Sequence, residues 1–163
     1  MAAGSTYTPI ATQTLGSAAS SVTFSSISGS YTDLVLVING KTVTSTADLY
    51  MRFNNDTGTN YSNTSLIGDG SAVASTRGSG VSVIKLNTNS TGDSTVWKIN
   101  VMNYANTTTY KTTLSRFDYA GGGTEAYVNL WRDTSAINRI DILPSTGNLD
   151  TGMVLTLYGI AAA

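Results

Sequence analysis

The tripeptide Asp-Thr-Gly occurs twice in this chain, at Asp56-Thr57-Gly58 and at Asp150-Thr151-Gly152. In acid proteases that motif supplies two carboxylates sharing one proton, so it is the first chemistry to test. The context speaks against it. A catalytic copy follows an apolar strand directly, whereas Asp56 follows Asn54-Asn55 and Asp150 follows Gly147-Asn148-Leu149. The chain is also short for a two-lobed protease. Both copies read better as turns, in which Asp caps the backbone two residues on and Gly takes the strained position.

Glycoside hydrolysis needs a pair of carboxylates across a sugar. Glu125 is the only glutamate, and Asp118 stands opposite it across the Gly121-Gly122-Gly123 turn. Acidic residues at a hairpin end are ordinarily just solvated, and that reading is preferred. With no histidine and no cysteine, the chain can build neither a Ser-His-Asp triad nor a His/Cys metal cage. Oxygen ligands remain in the loop Asn54, Asn55, Asp56 and Asn60. One carboxylate among three amides is too poor in charge for calcium, so a loop braced by its own side chains is expected, with no metal and no cofactor. Five Asn-x-Ser/Thr sequons, at Asn55, Asn60, Asn63, Asn89 and Asn106, follow from composition alone.

Sugar binding by ring stacking is the remaining small-molecule option, given nine tyrosines and two tryptophans. Trp97 alternates with apolar residues and is expected in the core. Trp131, followed by Arg132-Asp133 at a strand end, is expected as an exposed platform or as a subunit contact, since Trp and Arg anchor interfaces.

The elements that must position these residues are strands. The 163 residues are enough for one domain with its own core, taken as 1–163. Charged residues make up 12% of the chain, against about 25% in an ordinary soluble domain, and hydroxyl side chains take their place. The nine Lys and Arg are spread singly, so no phosphate-binding footprint exists and no nucleic-acid partner is expected. Met1-Ala2-Ala3-Gly4-Ser5-Thr6 lacks the basic and apolar regions of a signal peptide, and no apolar run reaches the roughly 18 residues of a membrane helix. No membrane partner is expected. The lack of cysteine fits synthesis in a reducing cytoplasm.

Period-two alternation marks Leu49-Met51-Phe53, Trp97-Ile99-Val101 and Ala126-Val128-Leu130. Further strands are expected around Ile10–Leu15, Ser21–Ile27, Asp33–Ile38, Val81–Leu86, Tyr110–Tyr119, Ile137–Leu143 and Met153–Ile160. Asn39-Gly40, Asp69-Gly70, Thr91-Gly92-Asp93, Gly121-Gly122-Gly123 and Thr146-Gly147-Asn148 mark the reversals between them. This spacing predicts an all-β antiparallel sandwich of about eight to ten strands, jelly-roll-like. Several strands carry apolar residues on both faces: Val35 and Val37, Tyr127 and Trp131, Tyr158 and Ile160. A sandwich strand needs only one apolar face, so the other is expected either to be covered by loops or left as single exposed hydrophobes, or to be covered in part by a second chain. These residues, with Arg132, are the interface candidates.

Four stretches together resemble small structural proteins of tailed bacteriophages. They are Tyr7-Thr8-Pro9-Ile10-Ala11 with Phe24 to Leu34, the run from Leu49 through Arg52-Phe53-Asn54-Asn55-Asp56-Thr57-Gly58-Thr59-Asn60 to Ser62, and Gly152 to Ile160 ending in Leu157-Tyr158-Gly159-Ile160. The resemblance implies a virion protein, either a head decoration or cement protein or a tail-fibre or baseplate domain that grips a surface glycan. Fibre proteins usually attach such a domain to a long shaft, so a short domain without a stalk is expected on the head. The implied partners are the major capsid protein or other virion proteins and further copies of the chain, with a trimer expected because it suits the three-fold positions of a capsid. The motif itself looks structural: Phe53 inward, Arg52 outward, then a loop braced by Asn54, Asp56, Gly58 and Asn60. It carries no catalytic residue.

Overall fold

The computed structural model describes residues 6–87, 94–119 and 121–161. The turn expected at Thr91-Gly92-Asp93, the sequon at Asn89 and Met1 to Ser5 lie outside them. The described residues contain no helix. They form β1 (Tyr7–Thr14), β2 (Val22–Phe24), β3 (Asp33–Gly40), β4 (Leu49–Phe53), β5 (Tyr61–Gly68), β6 (Val73–Val81), β7 (Ile84–Lys85), β8 (Thr95–Val101), β9 (Lys111–Tyr119), β10 (Gly123–Trp131), β11 (Ile140–Pro144) and β12 (Val154–Ile160).

Two antiparallel sheets face each other, one ordered β1-β12-β3-β8-β9-β10-β5-β6 and the other β2-β11-β4-β7. Setting aside the hairpins β5–β6 and β9–β10, the remaining strands pair first with last and then inward: β1 with β12, β2 with β11, β3 with β8, β4 with β7. That is one long antiparallel ribbon rolled into two layers, the jelly roll expected from the spacing. The two hairpins add four strands beyond β8 and form a platform on one side of the larger sheet.

Alternation decides which side chains fill the roll. Leu34, Leu36 and Ile38 of β3, Trp97, Ile99 and Val101 of β8, and Leu155 and Leu157 of β12 point inward. They meet Leu49, Met51 and Phe53 of β4 and Ile140 and Ile142 of β11, all fully buried. Each such side chain stabilises the fold by about 1.5–3 kcal/mol through burial. Gly159 is inward-facing on β12, and a Cβ there would stand inside the ring of Tyr31, so only glycine lets that tyrosine close the roll.

Twelve strands replace the expected eight to ten. The β5–β6 hairpin accounts for the excess: its sequence is rich in Ser, Thr and Gly, and its alternation is masked by small residues. Its reversal, Asp69-Gly70, was legible, and the Asp69 carboxylate caps the turn by accepting the N–H groups of Ser71 and Ala72 at 2.8 and 2.7 Å. Two expected strands shrink, Ser21–Ile27 to Val22–Phe24 and Val81–Leu86 to Ile84–Lys85.

Candidate interaction surface

The segment after β4 is a clasp between the two sheets. Phe53 points inward and is buried, and Arg52 takes the opposite face of β4 as expected but is half-buried there, its Nε donating to the Ser82 carbonyl at 3.3 Å. Asn54 and Asn55 take positive φ of 50° and 57°, a left-handed bend that asparagine tolerates. The Asn54 amide donates to the Ala136 carbonyl at 2.9 Å, and its oxygen accepts the N–H groups of Asn138 and Arg139. Asp56 accepts from the Gly58 N–H at 2.8 Å, from the Asn60 amide at 2.9 Å and from Trp131 Nε1 at 2.7 Å. Burial pushes the Asp56 carboxyl up, but the hydrogen bonds from Trp131, Asn60 and Gly58, with the charge of Arg52, outweigh it and leave it below the ordinary 3.8. The Asp56 cap and the braced loop expected from the sequence are present, but the strained position falls on Asn54 and Asn55 and not on Gly58. At the second copy Gly152 does take it, at φ 82°, while Asp150 accepts the adjacent Thr151 N–H and the Gly152 N–H goes to the Leu15 carbonyl.

Trp131 and Tyr127 overturn their expected placement. Trp131 is 1% exposed, with its ring 5.5 Å from Phe53 and stacked 6.4 Å from Tyr61. Tyr127 is equally buried and donates to Glu125 at 2.8 Å. Neither is a platform or a subunit contact. Both parities of β10 carry apolar residues, and the larger aromatic surfaces take the inside because burying them removes more area from water. Ala126, Val128 and Leu130 are consequently the outward set. Arg132 is exposed and donates to Ser62 Oγ at 3.0 Å.

Val35, Val37, Tyr158 and Ile160 do lie on the outer face of the larger sheet. Val35 is already 4% exposed, shielded by its neighbours, and the other three are half-buried. Register carries this row onward: Tyr158 pairs with Val35, Val35 with Asn100, Asn100 with Leu114 and Leu114 with Val128. Leu114, Val128 and Leu66 are 43%, 50% and 57% exposed. They floor a shallow hollow of about 520 Å³ rimmed by Lys98, Asn100, Arg116, Thr64 and Ser75. A second hollow of about 200 Å³ adjoins it at Asn100 and is bounded by Tyr7, Val35, Met102 and Ile160. The outer face is therefore aliphatic at its middle, hydroxylated and weakly basic at its rim. Sequence reading found the β3 and β12 members and missed Leu66, Leu114 and Val128, because only pairing partners tell which parity of a doubly apolar strand points out.

The outer face of the smaller sheet carries paired charges instead. On β11, Asp141 accepts from Thr23 Oγ1 at 2.6 Å and from Arg139 in a two-point contact at 2.8–2.9 Å. Lys85 and Asp48 pair at 2.9 Å beside it.

The catalytic candidates do not assemble. Asp118 pairs across the ladder with Thr124 and Phe117 with Glu125, so the two carboxylates point to opposite sides of one sheet. Asp118 is engaged by Arg116 and Thr124. Asp56 serves Trp131 and its own loop, while Asp150 accepts the Thr151 N–H and lies 3.8 Å from Lys41. Among the described residues no three acidic groups converge as a metal site. Nothing in the alternation pattern marks Lys111 as buried, yet it is fully so; its ammonium donates to the carbonyls of Thr109 at 2.7 Å and Thr134 at 3.1 Å, and burial holds it below the ordinary lysine value against the nearby charge of Asp133. It ties two loops together. Compared with protein-family models and with curated proteins, the chain matches none.

Proposed function

We propose that the protein is a non-catalytic virion structural protein that docks through the outer face of its eight-stranded sheet, as a decoration or cement protein on a capsid lattice. The observation that carries this reading is the exposed row of Leu66, Leu114 and Val128 inside a hydroxyl-rich, weakly basic rim. Docking patches have that composition, with an apolar middle and a polar periphery. The resemblance to tailed-phage structural proteins supplies the partner, the major capsid protein or another virion protein, and the place, the assembled particle. Many weak copies bound only to the assembled lattice stabilise it by mass action.

The alternative is a tail-fibre or baseplate domain that binds a bacterial surface glycan. It has lost Trp131 as its stacking ring, and rests now on the open cleft between the hairpin tips, where Asp69, Asp118, Tyr119 and Thr124 line about 740 Å³. One experiment separates the two. Particles lacking the protein are refilled with wild type or with Leu114→Ser/Val128→Ser, then assayed for heat-induced rupture and for adsorption to cells. The cement reading expects depleted particles to adsorb normally and rupture at lower temperature, with the double variant failing to restore them. Robust depleted particles that fail to adsorb would overturn it in favour of the glycan reading.

A further inference from the structure

Every open sheet needs its edges guarded, because an edge strand directs half of its backbone N–H and C=O groups to empty space and invites another strand. Three of the four edges here are guarded. β1 carries Pro9 and a register break between Pro9 and Ala11, and β2 and β7 are only three and two residues long. The fourth edge, β6, is guarded least, with its one register break at Gly80 near its end and Arg77 its one charge. It runs nine residues, Val-Ala-Ser-Thr-Arg-Gly-Ser-Gly-Val, with no proline, lysine or carboxylate. It pairs with β5 on one side, and among the described residues no strand lies on the other. Val73, the most exposed large apolar side chain among the described residues at 76%, sits on it.

We infer that β6 is a self-association edge, and that its occupant is β6 of a second copy, joined antiparallel about a two-fold axis at Thr76. The register follows from the strand itself. Ser79 pairs with Ser62 and Val81 with Tyr61, so Gly80, at φ +64°, is a bulge that ends the regular ladder. The regular part is thus Val73–Ser79, and antiparallel pairing that uses all of it centres on Thr76. Thr76 then faces Thr76 of the second copy, a favourable cross-strand pair, while Ala74 faces Gly78 and Arg77 faces Ser75. Centring on Arg77 instead would oppose two guanidinium groups. Because the strand holds no acidic residue and one cation, and that cation is off the axis, no like charges stand directly opposite each other; the two Arg77 side chains are diagonal neighbours and can turn apart into solvent. A two-fold contact of this kind is self-complementary and closes as a dimer. The three-fold assembly expected from the sequence would require a further, heterologous contact.

This inference stands on the fold and not on the virion reading. The chain has no cysteine, so Thr76→Cys, at an exposed position, can form only intermolecular disulfides. Side chains directly opposite in such a ladder approach closely enough for one. Under mild oxidation Thr76→Cys is expected to dimerise at least ~10-fold faster than Thr107→Cys on an exposed loop, through the high effective concentration of a held pair. Thr76→Asp and Thr76→Lys are each expected to be folded monomers by circular dichroism and light scattering, and to form one-to-one dimers when mixed. Equal cross-linking rates at the two positions, or charge variants that behave alike whether separate or mixed, would overturn the edge pairing. Folded Thr76→Asp monomers that still protect depleted particles would leave the docking function standing without it.

Discussion

The roll and the platform share one eight-stranded sheet, yet they are held by different forces. Inside the roll, Leu36 and Ile99 meet Met51 and Ile142 in an apolar layer. Beneath the platform the inward row is largely polar: Thr113, Ser115, Asn129, Ser65 and Glu125 are all buried. Asn129 donates to Thr113 at 3.2 Å and Ser65 meets Thr76 at 2.6 Å, while Ser115 Oγ and Asn129 Oδ1 have no hydrogen-bond partner among the described residues. The roll thus gains its stability from burial, and the platform from its ladder and from the aromatic clasp of Tyr61, Trp131 and Phe53. The platform also presents the exposed aliphatics and the open edge. The proposed docking surface thus lies where the core is thinnest, as expected of a surface that cannot also be buried within the chain.

The largest expected effect tests the core side of this contrast. Leu36→Ala should cost about 2–5 kcal/mol, and Ile67→Ala on the half-buried platform clearly less, read as shifts of the urea midpoint at unchanged slope. Equal losses would erase the distinction.

An intermediate effect is expected at the clasp. Trp131→Phe keeps a ring against Phe53 and Tyr61 but removes the donor to Asp56, leaving a carboxylate short of a partner, at about 1–3 kcal/mol. Native-state hydrogen exchange should show β5 and β10 opening before β3 and β8. Uniform loosening of both regions would show that the clasp serves the whole domain.

The smallest effect is one of pH. Asp56 is held below its ordinary value of 3.8 in the folded chain, so its contribution is fully present above that pH and is lost as pH falls through the lowered value. Asp48 runs the other way: burial raises it despite Lys85, so protonation on acidification favours the folded state there. The stability gap between wild type and Asp56→Asn is therefore expected to shrink as the solution is acidified below 3.8, in thermal melts run across that range. A gap that is constant with pH would mean the hydrogen bonds at Asp56 do not discriminate its charged form.

Much of this was readable in the chain. Alternation at Leu49-Met51-Phe53 and Trp97-Ile99-Val101 named core residues correctly, and Asn54, Asp56 and Gly58 were recognisable as a braced turn from the local bonds of Asp56, whereas the long-range bonds of Asn54 to Ala136 and of Asp56 to Trp131 were not readable. The β5–β6 hairpin was not readable, since Ser, Thr and Gly fit either face of a sheet and leave no periodic trace.

By itself the sequence determined that the fold is all-β and where most chains of alternation lie, and with no His or Cys it excluded the chemistries that need them. Tertiary structure alone decided which face of each doubly apolar strand points outward. That choice turned Trp131 from surface to core and Val128 from core to surface, and it put Asp118 and Glu125 on opposite sides of one sheet. The physical reason is that a strand's pattern has period two and is symmetric under exchange of its faces. Only the neighbour it pairs with, and the second sheet packed beneath it, distinguish inside from outside.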